Sequence, residues 1–225
     1  MPTPTGYSRS PKLQTGALIQ LTRDIVGVVP LITLFQYNPE QIQRSFEIHS
    51  NPGSDEKGMQ APSDQPHPPD ESLNFSLELD ATDDLERSRQ TAVRYGVADR
   101  LAVLEKLIFP VGGQASGDRS TRDQPVVRRP TVPILLLSLG RNRVFPVRIT
   151  SLSVSELFHS PDMMPIHAKV DLSLHIMSDE EFRPTPGKVE LDIQLAQATY
   201  RRYCAKRDQL ASDHPANVVS DITVT

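Results

Sequence analysis

Leu73, Phe75, Leu77 and Leu79 alternate without interruption with Asn74, Ser76, Glu78 and Asp80. The pattern returns further on, where Ala168, Val170, Leu172, Leu174 and Ile176 alternate with His167, Lys169, Asp171, Ser173 and His175. Successive side chains point to opposite faces only in an extended strand, so each run is a strand with one dry face and one wet face. Strands of this kind belong to antiparallel sheets covered on one side, and the rest of the chain must supply the partners and the cover.

The partners are legible as shorter runs. Ala17, Ile19 and Leu21 alternate with Leu18, Gln20 and Thr22, and Gly27 breaks the chain before the next strand. Residues 31–48 read as a hairpin: an apolar strand through Leu34, a stop at Asn38-Pro39, and a second strand in which Ile42, Phe46 and Ile48 share one face. A residue before proline is pushed out of the helical region, and proline cannot donate to a ladder. Thr131–Leu139 and Arg143–Phe158 form two more strands, joined at Gly140-Arg141-Asn142, a hairpin signal. In the second of them the apolar residues move from odd positions (Phe145, Val147, Ile149) to even ones (Leu152, Val154). That change of phase predicts a β-bulge near Thr150-Ser151.

Helices occupy the remainder. Val93, Val97, Leu101, Leu104 and Ile108 make one apolar stripe, predicting a single helix from about Leu85 to Phe109 that stops at Pro110. Asp83 or Asp84 is expected to cap it. Val189, Leu191, Ile193 and Leu195 alternate, but Val189, Ile193, Ala196, Tyr200 and Tyr203 also fit a helical stripe. Alanine and arginine enrichment through Arg207 favours helix for the second half. The expected fold is mainly β with α: about seven strands, one long internal helix and a helical C-terminal extension. The domain plan is an arm at residues 1–15, a sheet domain at 16–178 with long loops at 51–70 and 111–130, and an extension at 179–225.

With 20 prolines against 11 glycines in 225 residues, the chain suits long connections rather than an all-helical bundle. Asn51–Asp70 holds five of those prolines and almost nothing apolar, so alone it cannot offset its ordering entropy. A net charge of −4 gives no electrostatic case for a nucleic-acid partner. The single cysteine, Cys204, excludes an intrachain disulfide and suits a reducing compartment. Met1–Lys12 shows no signal peptide, and the longest apolar runs fall far short of the ~18–20 residues of a membrane helix. The expected location is the cytoplasm.

No catalytic constellation emerges. Val111-Gly112-Gly113 lacks the Gly-Lys-Ser/Thr ending of a phosphate loop, and neither Gly-x-Ser-x-Gly nor His-Glu-x-x-His occurs. His167 and His175 share a strand face but lie roughly 25 Å apart at the usual rise. Asp80, Asp83 and Asp84 match no calcium loop, and acids there suit helix capping and the dipole. Arg119, Arg122, Arg128 and Arg129 make a local basic loop, read as solvated charge or as a contact for an acidic neighbour. No enzyme, cofactor or metal is expected.

The order of these elements resembles the tube-protein-like domain of contractile injection systems, the phage-tail-derived particles of bacteria. The resemblance rests on Phe35-Gln36-Tyr37-Asn38-Pro39-Glu40, then Leu73 to Asp80, with Phe75, Leu77 and Leu79 in the Leu-x-Phe-x-Leu-x-Leu-Asp motif. The helix, the strands Pro133–Leu139 and Val144–Val154, and His167-Ala168-Lys169-Val170-Asp171-Leu172-Ser173-Leu174 follow in order. It implies a β-sandwich or barrel with a flanking helix, a ring of six copies, and a baseplate role between the central spike and the inner tube. Implied partners are other copies of the chain, the spike or hub protein, and the inner-tube and other baseplate proteins. An ordinary inner-tube subunit and a free-standing protein-binding module are the alternatives. Relatives with a C-terminal peptidoglycan-binding repeat have no counterpart in Gly187–Thr225, which is too short and of the wrong composition.

The expected assembly contacts are Asn51 and Asp70, which bound the proline-rich loop, and Arg128-Arg129. Deleting the loop between Asn51 and Asp70 is expected to leave a soluble, folded protein that no longer enters particles. Normal incorporation of the deletion, measured by co-purification, would refute a docking role for it.

Overall fold

The computed structural model describes residues 14–24, 27–48, 68–110, 132–140, 142–182 and 191–213. The arm at residues 1–13, most of the 51–70 loop, including Asn51, and the 111–130 loop, including Arg128 and Arg129, lie outside the described residues. So does the tail after Asp213.

Seven strands form one antiparallel sheet: β1 (Ala17–Asp24), β2 (Gly27–Leu34), β3 (Ile42–Glu47), β4 (Asp70–Asp80), β5 (Leu135–Ser138), β6 (Val144–His159) and β7 (Pro165–Ile176). Their order in the sheet is β2-β1-β5-β6-β7-β4-β3. The alternating runs lie side by side, with Leu73 opposite Leu174 and Leu77 opposite Val170. Leu73, Leu77, Val170, Leu172 and Leu174 are all buried. The ladder between β6 and β7 shifts register between Ile149 and Ser151, where the apolar phase changes.

The expected hairpin over residues 31–48 is not formed. β2 pairs with β1, Ala17 opposite Leu34, while β3 pairs with β4, Ile42 opposite Phe75. The two strands are consecutive in sequence and lie at opposite ends of the sheet. The short segment 35–41 therefore spans from one edge to the other, which draws the sheet into a curl. Periodicity marked both strands as strands, but it carries no information on which neighbour each one takes.

The single helix expected over residues 85–109 is instead three: α1 (Thr82–Glu86), α2 (Gln90–Tyr95) and α3 (Ala98–Lys106). Ser88 adopts φ 51° and Gly96 φ 58°, so the backbone leaves the helical region at each. The breaks re-phase the apolar stripe. Ala92, Val97, Leu101, Leu104 and Leu107 are buried, while Val93 remains 62% exposed. Neither Asp83 nor Asp84 caps α1; its N-cap residue is Ala81, with no side-chain cap. Asp80, one residue earlier, accepts hydrogen bonds from Thr82 N (2.7 Å) and Thr82 Oγ1 (2.6 Å). Those bonds hold its carboxyl below the ordinary value.

The three helices and the inner face of the sheet enclose the main core, in which Leu18, Leu137, Phe145 and Val147 join the β4 and β7 residues. Helix α4 (Leu191–Asp213) packs against β6, β1 and β2. It begins at Leu191, so the Leu191-Ile193-Leu195 alternation is helical rather than extended. A second, smaller cluster of Met177, Phe182 and Ala196 seats its first turns.

Gly96 shows how closely the helices approach the sheet. The neighbouring Val97 N donates to Pro165 O at 2.8 Å, and a Cβ on Gly96 would sit 2.0 Å from that same oxygen. At φ 58° and ψ −122° only glycine is at ease. Gly96→Ala is expected to cost at least about 2 kcal/mol, from backbone strain together with the displaced contact. Denaturant unfolding measures it, and an unchanged midpoint would refute the close approach.

Candidate assembly surface

The most specific arrangement in the molecule is the seam where the two ends of the sheet meet. β3 covers β4 only as far as Phe75, so the outer side of Leu77–Asp80 has no strand partner among the described residues. Gln36, in the link from β2, takes that place with its side-chain amide. Gln36 Nε2 donates to Asp80 O at 2.7 Å, and Asp80 N donates to Gln36 Oε1 at 3.1 Å. The amide thus supplies the donor and the acceptor that a strand residue would offer. Arg100 from α3 crosses the same point, donating to Gln36 Oε1 (2.6 Å), to Asp80 O (2.8 Å) and, as a charge pair, to Asp84.

The residues of the Phe35–Pro39 motif act around this seam. Phe35 is buried, with its ring centroid 5.9 Å from that of Phe75. It also lies against Gly16, where a Cβ would come within 2.6 Å of the ring. Phe35 N donates to Gly16 O at 2.9 Å. Asn38 closes the opposite side: its Oδ1 accepts from Gly16 N at 2.8 Å and its Nδ2 donates to Gln14 O at 2.9 Å. Asn38 therefore ties the entry to β1 to the exit from β2. Pro39 follows in the irregular link, and Tyr37 is 46% exposed. Phe75, Leu77 and Leu79 are core residues, Asp80 belongs to the seam, and Asp70 lies at the exposed start of β4 opposite Glu47.

Beside the seam a groove of about 700 Å³ opens between β2, β4 and α3, with Leu31, Leu34, Phe35, Leu79 and Val103 among its walls. Its character comes from β2. This strand ends the sheet, so one side of its backbone has no ladder partner among the described residues, yet Leu31, Ile32 and Leu34 are 48%, 55% and 66% exposed. A long apolar edge strand is the template on which another chain adds. The sequence signal was there in the Leu-Ile-Thr-Leu run, but an apolar run reads equally well as a buried strand.

At the other end of the sheet a buried charge links α4 to the β3–β4 edge. Glu71 is 6% exposed and pairs with Arg44 across the ladder. Tyr203 of α4 donates to the same carboxylate, at 2.9 and 3.0 Å from its two oxygens. The Tyr203 ring also meets Phe145 edge-on at 4.8 Å, with Arg44 over its face at 5.4 Å. Burial pushes the Glu71 carboxyl above its ordinary value, against the opposing pull of Arg44. Nearby, Tyr200 is pushed up to about 12, first by burial and then by Cys204.

Among the described residues no group of three His, Cys, Asp or Glu side chains is placed to hold a metal ion, and no helix is long and apolar enough to cross a membrane. His175 bonds Glu181 at 2.8 Å, and His167 sits beside Phe158 with a centroid distance of 6.3 Å. What the surface offers is an open apolar edge beside a rigid seam. Residues 28–184 match the family model of the contractile injection system tube protein. The chain belongs to that family. The match spans all the strands from β2 to β7 and the three short helices, so the seam and the open edge both lie within it. Among curated proteins, no match to the chain is found.

The elevated Glu71 pKa fixes a pH dependence. In the window above the ordinary value of 4.5 the folded chain holds a proton that the unfolded chain has released. The Glu71 contribution is therefore fully present below that value and is lost as the pH rises through the raised one. The stability of the native chain minus that of Glu71→Gln is expected to fall over this window, by about 1.4 kcal/mol for each unit by which the pKa is raised. A difference that rises with pH in urea titrations would reverse the assignment.

Proposed function

We propose that this tube-family protein forms a ring that joins the central spike of a contractile particle to its inner tube and helps to start the tube. The observation that carries this reading is the apolar, unpaired edge of β2, with Leu31, Ile32 and Leu34 exposed. A surface of that kind suits a partner rather than water, and a contact between two different patches of one chain closes into a ring after a fixed rotation. Membership of a tube protein family supports self-assembly and association with other components of the particle.

Two features favour an adaptor over a repeating subunit. A stack of identical rings favours a compact subunit whose two axial faces match each other. This chain carries α4, 23 residues long, beyond the family match, and much of its second half is exposed. It also has two long loop sequences, 51–70 and 111–130. An adaptor must present unlike faces to the spike and to the tube, and such additions supply them. The description of the family supports the second reading, an inner-tube subunit of the same particle.

The test is purification of the tagged protein from cells that produce the particle, followed by electron microscopy. Sheathed particles with the label at one end are the expected result. A label along the tube, or purified protein that polymerises alone into long tubes, would establish the tube-subunit reading instead. A monomer with no associated particle components would refute both.

A further inference from the structure

The β6–β7 hairpin ends in a tip of unusual composition for a solvated turn. Leu157 and Phe158 are 42% and 75% exposed, and Met163 and Met164 are 72% and 37% exposed. The tip is held in shape. Ser160 N donates to Met164 O at 2.8 Å, Met163 N to Ser160 O at 2.9 Å, and Met164 N to Ser160 Oγ at 3.1 Å. Phe158 and Met163 both adopt positive φ, 39° and 61°, where bulky side chains are seldom found. A fixed turn that holds strained, apolar side chains outward is a knob that, apart from His167 beside Phe158, no described residue encloses.

The groove beside β2 has the converse character. Besides its apolar walls it holds Gln20, 4% exposed, whose Oε1 has no hydrogen-bond partner among the described residues, and Thr33, whose Oγ1 has none either. A buried acceptor without a donor is costly and marks a place where a donor is missing. On the rim, Arg87 and Lys106 are without an ion-pair partner among the described residues, Arg100 and Asp84 pair with each other, and Asp83 is the one further acid, which leaves the rim basic on balance. The tip carries Asp162 between Phe158 and Met163, while Glu156 just before them is paired with His159 at 3.4 Å.

We propose that the β6–β7 tip of one copy docks in the β2–α3 groove of the next, with Phe158 and Met163 against Leu34 and Val103, and Asp162 facing Arg87 and Lys106. The occupant is a second copy because knob and hole, with complementary charge, are carried on one chain of a self-assembling family. Within one chain the tip does not fill the groove: Phe158 and Met163 stay exposed, and neither is among the groove's lining residues. The contact is heterologous, so each copy gives one tip and receives another. The inference rests on the ring-forming reading and specifies its contact.

The test is a cysteine pair. In full-length protein carrying Cys204→Ser, the changes Phe158→Cys and Val103→Cys place one thiol on the knob and one in the hole, both at exposed positions. Oxidation is expected to give a ladder of disulfide-linked multimers, and each single-cysteine control is expected to lack it. A second experiment uses two chains, one with the tip blocked (Phe158→Asp, Met163→Asp) and one with the groove blocked (Val103→Asp). Each alone is expected to associate at least about tenfold more weakly than the native chain, and their mixture to form dimers and nothing larger. Rings that persist in the tip-blocked chain, without a 158–103 cross-link, would overturn this docking and leave the ring reading standing. A native chain that stays monomeric in solution and enters no particle would overturn both.

Discussion

The molecule depends on a topological constraint: two strands separated by seven residues must end at opposite edges of a seven-stranded sheet. A flat sheet of that width could not be spanned by so short a link, so the sheet must curl until β2 and β4 approach one another. The curl leaves a defect, because past Phe75 the outer side of β4 gains side-chain neighbours, Gln36 and Arg100, in place of a strand. Its amide satisfies both backbone groups of Asp80, and Arg100 fastens the same point to α3. A backbone group left unpaired there would cost about as much as a lost hydrogen bond. The seam is therefore a polar clasp on a structure otherwise held by apolar burial, and its Gln36 and Arg100 form part of the wall of the groove beside it.

The C-terminal helix is fixed by a different device. Glu71 lies on the same face of β4 as Leu73, Phe75, Leu77 and Leu79, where a fifth apolar side chain would be the simple choice. Arg44 and Tyr203 converge on its carboxylate instead. A buried charge of this kind contributes little net stability, because its desolvation offsets most of the pairing. It does select one position of α4 over its neighbours along the helix, since a shift by one turn would leave Glu71 with a single partner. The apolar contacts of α4, through Ile193, Ala196, Tyr200 and Tyr203, seat the helix on the sheet, and the carboxylate adds a directional contact to them.

How much of this was legible in the sequence follows from the range of each signal. Alternation is local, and it located β4, β7 and the bulge of β6 from residues such as Leu73, Val170 and Leu152. Pairing is not local. Residues 31–48 read as a hairpin because nothing in Asn38-Pro39 says that the chain will cross an entire sheet before pairing again. The helical stripe through Val93 and Ile108 failed for a tertiary reason: Gly96 must meet Pro165, and that contact outweighs the continuity of a helix. Asn38 was visible as a turn residue, and only the fold shows that its amide ties two strand ends together. Glu71, Gln36 and Arg100 carried no sequence signal, since a lone Glu on a dry strand face or a Gln in a turn is ordinary until its partner is known. The groove and the tip escaped for the same reason, since what covers an apolar residue is decided by distant parts of the chain and leaves no local pattern.

An apolar edge that is left open is a liability for a monomer and an asset for a subunit, and the sheet treats its two edges differently. β3 is short and places Arg44, Gln43 and Glu47 at its edge, the composition that discourages further strand addition. β2 is longer and carries Leu31, Ile32 and Leu34 with little charge. The contrast is one of degree: β2 carries Pro30, which cannot donate to a further strand, and β3 exposes Phe46 beside its charges. On the ring reading, the longer and less charged edge is the receptive side of each copy, and one receptive side per copy is the condition for a directional contact that closes on itself.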